Sequence, residues 1–169
     1  MKNKENNFAY IDGANLHKGI LELGWRLDYK RFRVFLFEKY GVNKAYIFLG
    51  FIPTNANLYR DLQNWSYTVV FKPTLQDKVG GVKGNCDAEL VLQAVSDMYE
   101  SLYDKAVIVT GDGDFACLIN FLKEKTRFKI IVSPNYKKAS VLLRKAAPDN
   151  IVFLDRFENR LKYEESRQK

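Results

Sequence analysis

The chain has 169 residues, 47% of them hydrophobic, and a net charge of +7. That length favours one domain with a sizeable core and argues against global disorder, and the positive balance suits a polyanionic partner such as nucleic acid or serves solubility alone. His17 is the single histidine, which excludes a histidine-rich zinc site, and no apolar run approaches the roughly 20 residues that a membrane span needs.

The first residues, Met1 to Asn7, are polar and carry no leader pattern, while Cys86 and Cys117 lie far apart in no ligand spacing. The expectation is a cytoplasmic protein with reduced thiols. The apolar run at 7–12 predicts a first strand that closes on Asp12. Leu16, Ile20 and Leu23 predict a helix stopped by Gly24. Asp28 is placed to cap a second helix, with Tyr29, Phe32, Leu36 and Tyr40 on one face and Gly41 as its stop. The aromatics Phe32, Phe35, Phe37 and Tyr40 are expected to pack inward, with a homodimer interface as the other use of so aromatic a helix.

Strands are predicted at 44–50 and 67–72, on either side of a helix over about 55–65. Segment 73–85 holds Pro73, Gly80, Gly81 and Gly84 and reads as a long mobile loop. A helix over 87–103 would turn Leu90, Val91, Ala94, Met98 and Leu102 inward, and Glu89, Gln93, Ser96 and Glu100 outward. Then come a strand at 106–110, a helix carrying Phe115, Leu118, Ile119 and Leu122, a strand at 128–132, a helix over about 137–146 that stops near Pro148, and a strand at 150–154. This βαβ rhythm, in strands that are mostly continuous apolar runs, argues an α/β fold with a mainly parallel, doubly wound sheet. One domain over 1–155 and a charged tail over 156–169 are expected.

Four carboxylates stand out against that frame. Asp12 and Asp112 each follow a strand, Asp114 opens the next helix, and Asp87 begins the long helix three and four residues before Leu90 and Val91. In open α/β sheets, ligands bind beyond the carboxyl ends of the strands, where the strand order reverses. If the first and fourth strands are neighbours, the four acids converge there. Such a cluster repels itself unless a cation occupies it, and hard divalent cations prefer oxygen ligands. Asp114 also has a plainer reading as a helix cap, and Asn15 could cap the first helix or, like Thr110, reach a bound water or phosphate. No G-x-G-x-x-G follows the first strand and no G-x-x-x-x-G-K-[ST] occurs, which argues against dinucleotide and P-loop binding. Asp12 is followed by Gly13 and Ala14, without the second acid that haloacid-dehalogenase-like phosphatases need.

Phe8-Ala9-Tyr10-Ile11-Asp12-Gly13-Ala14-Asn15-Leu16, Lys83-Gly84-Asn85-Cys86-Asp87 and Val109-Thr110-Gly111-Asp112-Gly113-Asp114-Phe115 resemble, in order and spacing, the three signature blocks of the NYN domain. That family includes the LabA-like bacterial proteins and belongs to the PIN-like nuclease superfamily. The resemblance implies a PIN-like three-layer α/β/α sandwich with strand order 3-2-1-4-5. It implies a magnesium- or manganese-dependent ribonuclease, expected to be an endonuclease, whose acidic site matches Asp12, Asp87, Asp112 and Asp114, supported by Asn15 and Thr110. The metal would activate a water for attack on an RNA phosphodiester.

Basic residues would deliver the RNA, with no membrane partner expected. Lys123, Lys125, Arg127, Lys129, Lys137, Lys138, Arg144 and Lys145 form a basic run, and Lys18, Lys72, Lys78 and Lys83 fall on nearby loops or helix starts. Of these, Lys18, Lys83, Lys137, Lys138 and Arg144 are the candidate phosphate contacts, and Tyr136 is the candidate for base stacking. Two other readings stand beside the nuclease: a catalytically silent nucleic-acid-binding or regulatory module of the same fold, and a phosphatase acting on a small phosphate ester.

Overall fold

The computed structural model describes residues 5–72, 75–76, 82–83 and 86–165. A six-stranded sheet forms its middle layer. β1 (Asn7–Asp12) pairs in parallel with β2 (Val42–Gly50) on one side and β6 (Ala106–Val109) on the other. β3 (Tyr67–Lys72) extends the sheet beyond β2, while β7 (Phe128–Ser133) and β8 (Ile151–Phe153) extend it beyond β6. The order is β3-β2-β1-β6-β7-β8. Counted over the sheet strands alone, that is the expected 3-2-1-4-5 with one further parallel strand at the edge. Between β3 and the next helix, β4 (Leu75–Gln76) and β5 (Val82–Lys83) pair as a minimal antiparallel hairpin in the segment read as irregular. The remainder of that segment lies outside the described residues.

Alternation along the strands sorts side chains into two cores. Ala9, Ile11, Ala45, Ile47, Val107 and Val109 face α1 (Gly13–Leu21), α2 (Tyr29–Tyr40) and α3 (Ala56–Asn64). Phe8, Tyr10, Tyr46, Phe48 and Ile108 face α4 (Asp87–Tyr99), α5 (Ala116–Glu124) and α6 (Val141–Ala146). The second helix is bounded as its sequence specifies: the Asp28 carboxylate accepts from the Arg31 N–H at 2.9 Å, and Gly41 is left-handed at φ 65°. Phe32, Phe35, Leu36 and Tyr40 are buried, but Phe37 lies on the outer side, 40% exposed. No helix among the described residues is long and apolar enough to cross a membrane.

Three helices differ from their sequence expectation. The fourth ends at Tyr99, and Leu102 beyond it is exposed. Its buried stripe includes Asp97, and Gln93 is only partly exposed, while Leu92 and Tyr99 face outward. The cause is a polar demand from the sheet. The buried Tyr10 hydroxyl donates to Asp97 Oδ2 at 2.8 Å, and Gln93 Nε2 donates to Asp97 Oδ1 at 2.7 Å. α6 starts at Val141 rather than near 137, because the Ser140 hydroxyl accepts from the Leu142 N–H and caps it there. After Asp155 the charged stretch forms α7 (Glu158–Leu161). Its Leu161 is fully buried, Phe157 meets Phe35 edge-on at 5.1 Å, and the Asp28 N–H donates to Leu161 O.

The Tyr10–Asp97 bond yields a stability prediction. Tyr10→Phe leaves the buried Asp97 short of a donor and should lower the unfolding free energy by about 1–3 kcal/mol. Leu92→Ser, on the outward face, should stay within about 0.5 kcal/mol of wild type. Urea unfolding of both variants makes the comparison; equal costs would show that the outward-facing apolar residue matters as much as the buried polar one.

Candidate active site

β1 and β6 run side by side with Ile11 opposite Val109, so the residues that follow each strand emerge together. The chain leaves β1 to one face and β6 to the other, which opens a crevice at the carboxyl edge of the sheet. Asp12 ends β1 and caps α1: its Oδ1 accepts from the Asn15 N–H at 3.1 Å. Gly13 is required at that turn, since a Cβ there would stand 2.8 Å from the Phe48 carbonyl oxygen. The other Asp12 oxygen accepts from the Thr110 hydroxyl at 3.3 Å, and that hydroxyl in turn accepts from the Asp112 N–H at 3.1 Å. Asn15 does not cap the helix. Its Oδ1 accepts from the Gly111 N–H at 2.7 Å and ties α1 to the loop after β6.

Asp112 caps the 3-10 turn Gly113–Phe115, accepting from the Asp114 N–H at 3.0 Å. That bond uses the backbone of Asp114 and leaves its carboxylate to face the crevice. Asp87 reaches the same place from the first turn of α4, on the opposite side. One carboxylate oxygen from each of Asp87, Asp112 and Asp114 lies within 4.8 Å of the others. Oxygen ligands on opposite sides of a hard divalent cation stand about 4–5 Å apart, so the span and the all-oxygen donor set fit one such ion. Asp12 is not part of that trio, but it feels it. Burial pushes Asp12 up to about 6, the negative charges of Asp87 and Asp112 push in the same direction, and the bonds from Asn15 and Thr110 oppose them.

The remaining candidates are distributed less evenly. Lys18, Lys137 and Lys138 are exposed on α1 and on the loop after β7, the last two beyond the carboxyl end of that strand. Arg144 stacks over the Tyr136 ring at 4.3 Å and donates to the Tyr136 carbonyl, so it covers the ring offered for stacking. The Lys83 side chain, Lys78, Gly84 and Asn85 lie outside the described residues. Lys72 pairs with Glu89 at 3.5 Å, so the glutamate read as solvated is a half-buried partner at the rim of the site. The basic run does not hold together in space. Lys123 donates to Ala146 O, Arg127 to Tyr103 O and Lys129 to Glu5, which commits them to structural roles. Arg127 and Lys129 sit at the start of β7, the edge away from the acids.

The sequence reading passed over Ser133. It ends β7 as Asp12 ends β1, a polar residue closing an apolar run at the active edge, and it is fully buried. The Cys86 thiol, beside Asp87, is pushed up by burial and by Glu89, which opposes a thiolate role.

Comparison with known proteins extends the likeness to most of the chain. The profile of the NYN domain matches residues 8–155. The low amplitude and bright protein LabA of Synechococcus elongatus is 30% identical over 132 residues, 73% of this chain and 71% of that protein. A crystal structure of a protein of unknown function from Vibrio parahaemolyticus superposes with a TM-score of 0.76 at 22% identity, covering 96% of this chain and 99% of the other, and shows the shared fold.

The raised Asp12 carboxyl predicts a pH dependence. Its value is about 6 in the folded protein against an ordinary 3.8. Between these limits the folded state holds a proton that the unfolded chain has released, so stability falls as pH rises, and the penalty is complete above about 6. Asp12→Asn removes the penalty. In chelator, the stability of the variant relative to wild type should rise by about 1–3 kcal/mol from pH 4 to pH 7. Parallel stability curves for the two proteins would show that Asp12 ionises normally.

Proposed function

The chain belongs to the NYN-domain family, and from that premise we propose that it is a metal-dependent ribonuclease that hydrolyses internal phosphodiester bonds of RNA. The observation that supports this most is the convergence of Asp87, Asp112 and Asp114 within 4.8 Å at the strand-order reversal, with Asp12 beside them. A binding protein gains nothing from carboxylates aimed at a phosphate, whereas a hydrolase gains a cation site.

In this reading Asp12, Asp87, Asp112 and Asp114 hold magnesium or manganese. When bound, the cation supplies an acidified water and neutralises charge on the phosphate and the leaving oxygen. The protein's own work is positioning. The Thr110 hydroxyl and the Asn15 N–H fix the two oxygens of Asp12, and the Asp114 N–H fixes one oxygen of Asp112. Held this way, the carboxylates need little reorganisation when substrate arrives. The bond from Asn15 to Gly111 keeps the β6 loop, and therefore Asp112, at a set distance from α1. Lys18, Lys137 and Lys138 neutralise flanking phosphates without reading sequence. Tyr136 and Arg144 act as one unit, a ring with a guanidinium stacked on it, that meets a base at its open edge. Attack by water requires no side-chain nucleophile and leaves 5′-phosphate and 3′-hydroxyl ends, as the family analogy implies.

The test is cleavage of a labelled single-stranded RNA in manganese or magnesium, with and without chelator. Wild type should cut only with metal. Loss of residues that merely orient metal ligands costs about 10–100-fold in activity, so Asp112→Asn, which alters a proposed ligand, should cost more than about a hundredfold. RNA binding should persist in that variant. Absence of wild-type cleavage across varied RNAs, with salt-sensitive binding intact, would instead mark a binding module.

A further inference from the structure

The loop that leaves β7 folds back on α1 and encloses a cavity of about 200 Å³ beside the acidic centre. Asn15 and Gly111, which border the aspartates through Asp12 and Asp112, also form one wall of the cavity. Lys18 and Lys138 line its mouth, and Ser133 lies at its floor. The Ser133 hydroxyl is buried and meets no hydrogen-bond partner among the described residues. It lies against Gly111, where a Cβ would stand 3.3 Å from it and 3.4 Å from Asn15 Oδ1. A buried hydroxyl without a partner is unfavourable, and a native protein that keeps one invites an explanation from function.

The remaining groups point to the ligand. Asn15 is oriented by the Gly111 N–H on its oxygen, so its Nδ2 is left as a donor without a bond among the described residues. The ammonium groups of Lys18 and Lys138 also have no ion pair or hydrogen bond among the described residues. Glu22 at the rim is the only acid among the described residues that line the cavity. A hydroxyl, an amide and two lysines therefore line one small space, against the single carboxylate of Glu22 at its rim. Asn135 is used at both ends, donating to Gly19 O at 3.4 Å and accepting from the Lys137 N–H at 3.0 Å. A nucleobase would need an aromatic face, and among the described residues the wall has none. A group with several acceptor oxygens and negative charge fits the donors.

We propose that this cavity is a phosphate subsite that seats the phosphate next to the one held at the aspartates, with the Ser133 hydroxyl as its buried donor. The proposal rests on the ribonuclease reading for the identity of the strand, and the seated group is either an internal phosphodiester or a terminal 5′-phosphate. It divides the crevice into a cation side, toward α4, and an anion side, toward α1, so that consecutive phosphates of one strand meet opposite charges.

Binding of 3′-labelled single-stranded RNA in chelator, followed by fluorescence anisotropy, tests it without hydrolysis. Ser133→Ala should weaken binding about ten- to a hundredfold, as loss of a hydrogen bond to a charged group does. Because it deletes an unpaired hydroxyl, it should leave the thermal midpoint unchanged or raised. Lys138→Gln, on the surface, should weaken binding and lower the slope of log affinity against log salt by about 0.7. Lys44→Gln, near the start of β2 at the edge away from the acids, should change neither. A Ser133 effect confined to 5′-phosphorylated RNA would identify the terminal phosphate, and an equal effect on 5′-hydroxyl RNA the internal one. Affinities of Ser133→Ala and Lys138→Gln both within twofold of wild type would overturn the subsite, even if cleavage proceeds. The Ser133 effect without any cleavage by wild type would keep the subsite and defeat the nuclease reading instead.

Discussion

Parallel pairing of β1 with β6 is the contact on which the rest of the molecule depends. It aligns Ile11 with Val109 and sends the two chain ends apart, α1 to one face and the Gly113–Phe115 turn toward the other. β1 finishes on Asp12 and β6 is followed at once by Thr110, so the pairing also brings Asp12, Thr110 and Asp112 into one hydrogen-bonded row. The chain accepts the resulting repulsion in part by giving two of the acids a second task, since Asp12 and Asp112 cap the structures that follow them. The relief is incomplete. Asp12 remains raised by burial and by its acidic neighbours, the state expected of a carboxylate that lacks a counter-charge.

The same row separates two chemistries. Toward α4 the groups are acceptors, the carboxylates of Asp87, Asp112 and Asp114. Toward α1 they are donors around a cavity, with Ser133 at its floor. Asn15 stands on the boundary, its oxygen fixed by the Gly111 N–H and its side chain on the cavity wall. A phosphodiester strand carries a negative charge at every step, so a strand laid across this row needs a cation on one side and protein donors on the other. The positive balance of the whole chain is less informative than this local arrangement. Lys123 and Arg127 donate to backbone carbonyls and Lys129 pairs with Glu5, so these side chains are held in structural contacts.

Most of the fold was legible because its signals are local. Six apolar runs gave the six strands of the sheet, and Asp28 and Gly41 bounded α2 through capping geometry that any sequence with those residues would adopt. The acids were legible because each follows a strand or opens a helix. What the sequence concealed depends on partners distant in the chain. Asp97 is held inward by Tyr10, 87 residues earlier, which places a carboxylate in the buried stripe of α4 beside Ala94 and Met98. Glu89 is turned toward Lys72 in the same way. The stretch after Asp155 reads as a charged tail because its inward residues, the partly buried Phe157 and the buried Leu161, are few and spaced by charges. Ser133 was hidden differently: a serine after an apolar run has no distinctive chemistry until its hydroxyl is seen to lack a partner.

The central claim is that the carboxylate cluster is a cation site, and anomalous diffraction from crystals soaked in manganese addresses it without reference to any substrate. The account predicts an anomalous peak bounded by Asp87, Asp112 and Asp114, within about 2.0–2.6 Å of their oxygens, which disappears in crystals of Asp114→Asn soaked alike. No peak at the cluster in wild-type crystals at millimolar manganese, or a peak that persists unchanged in the variant, would contradict it.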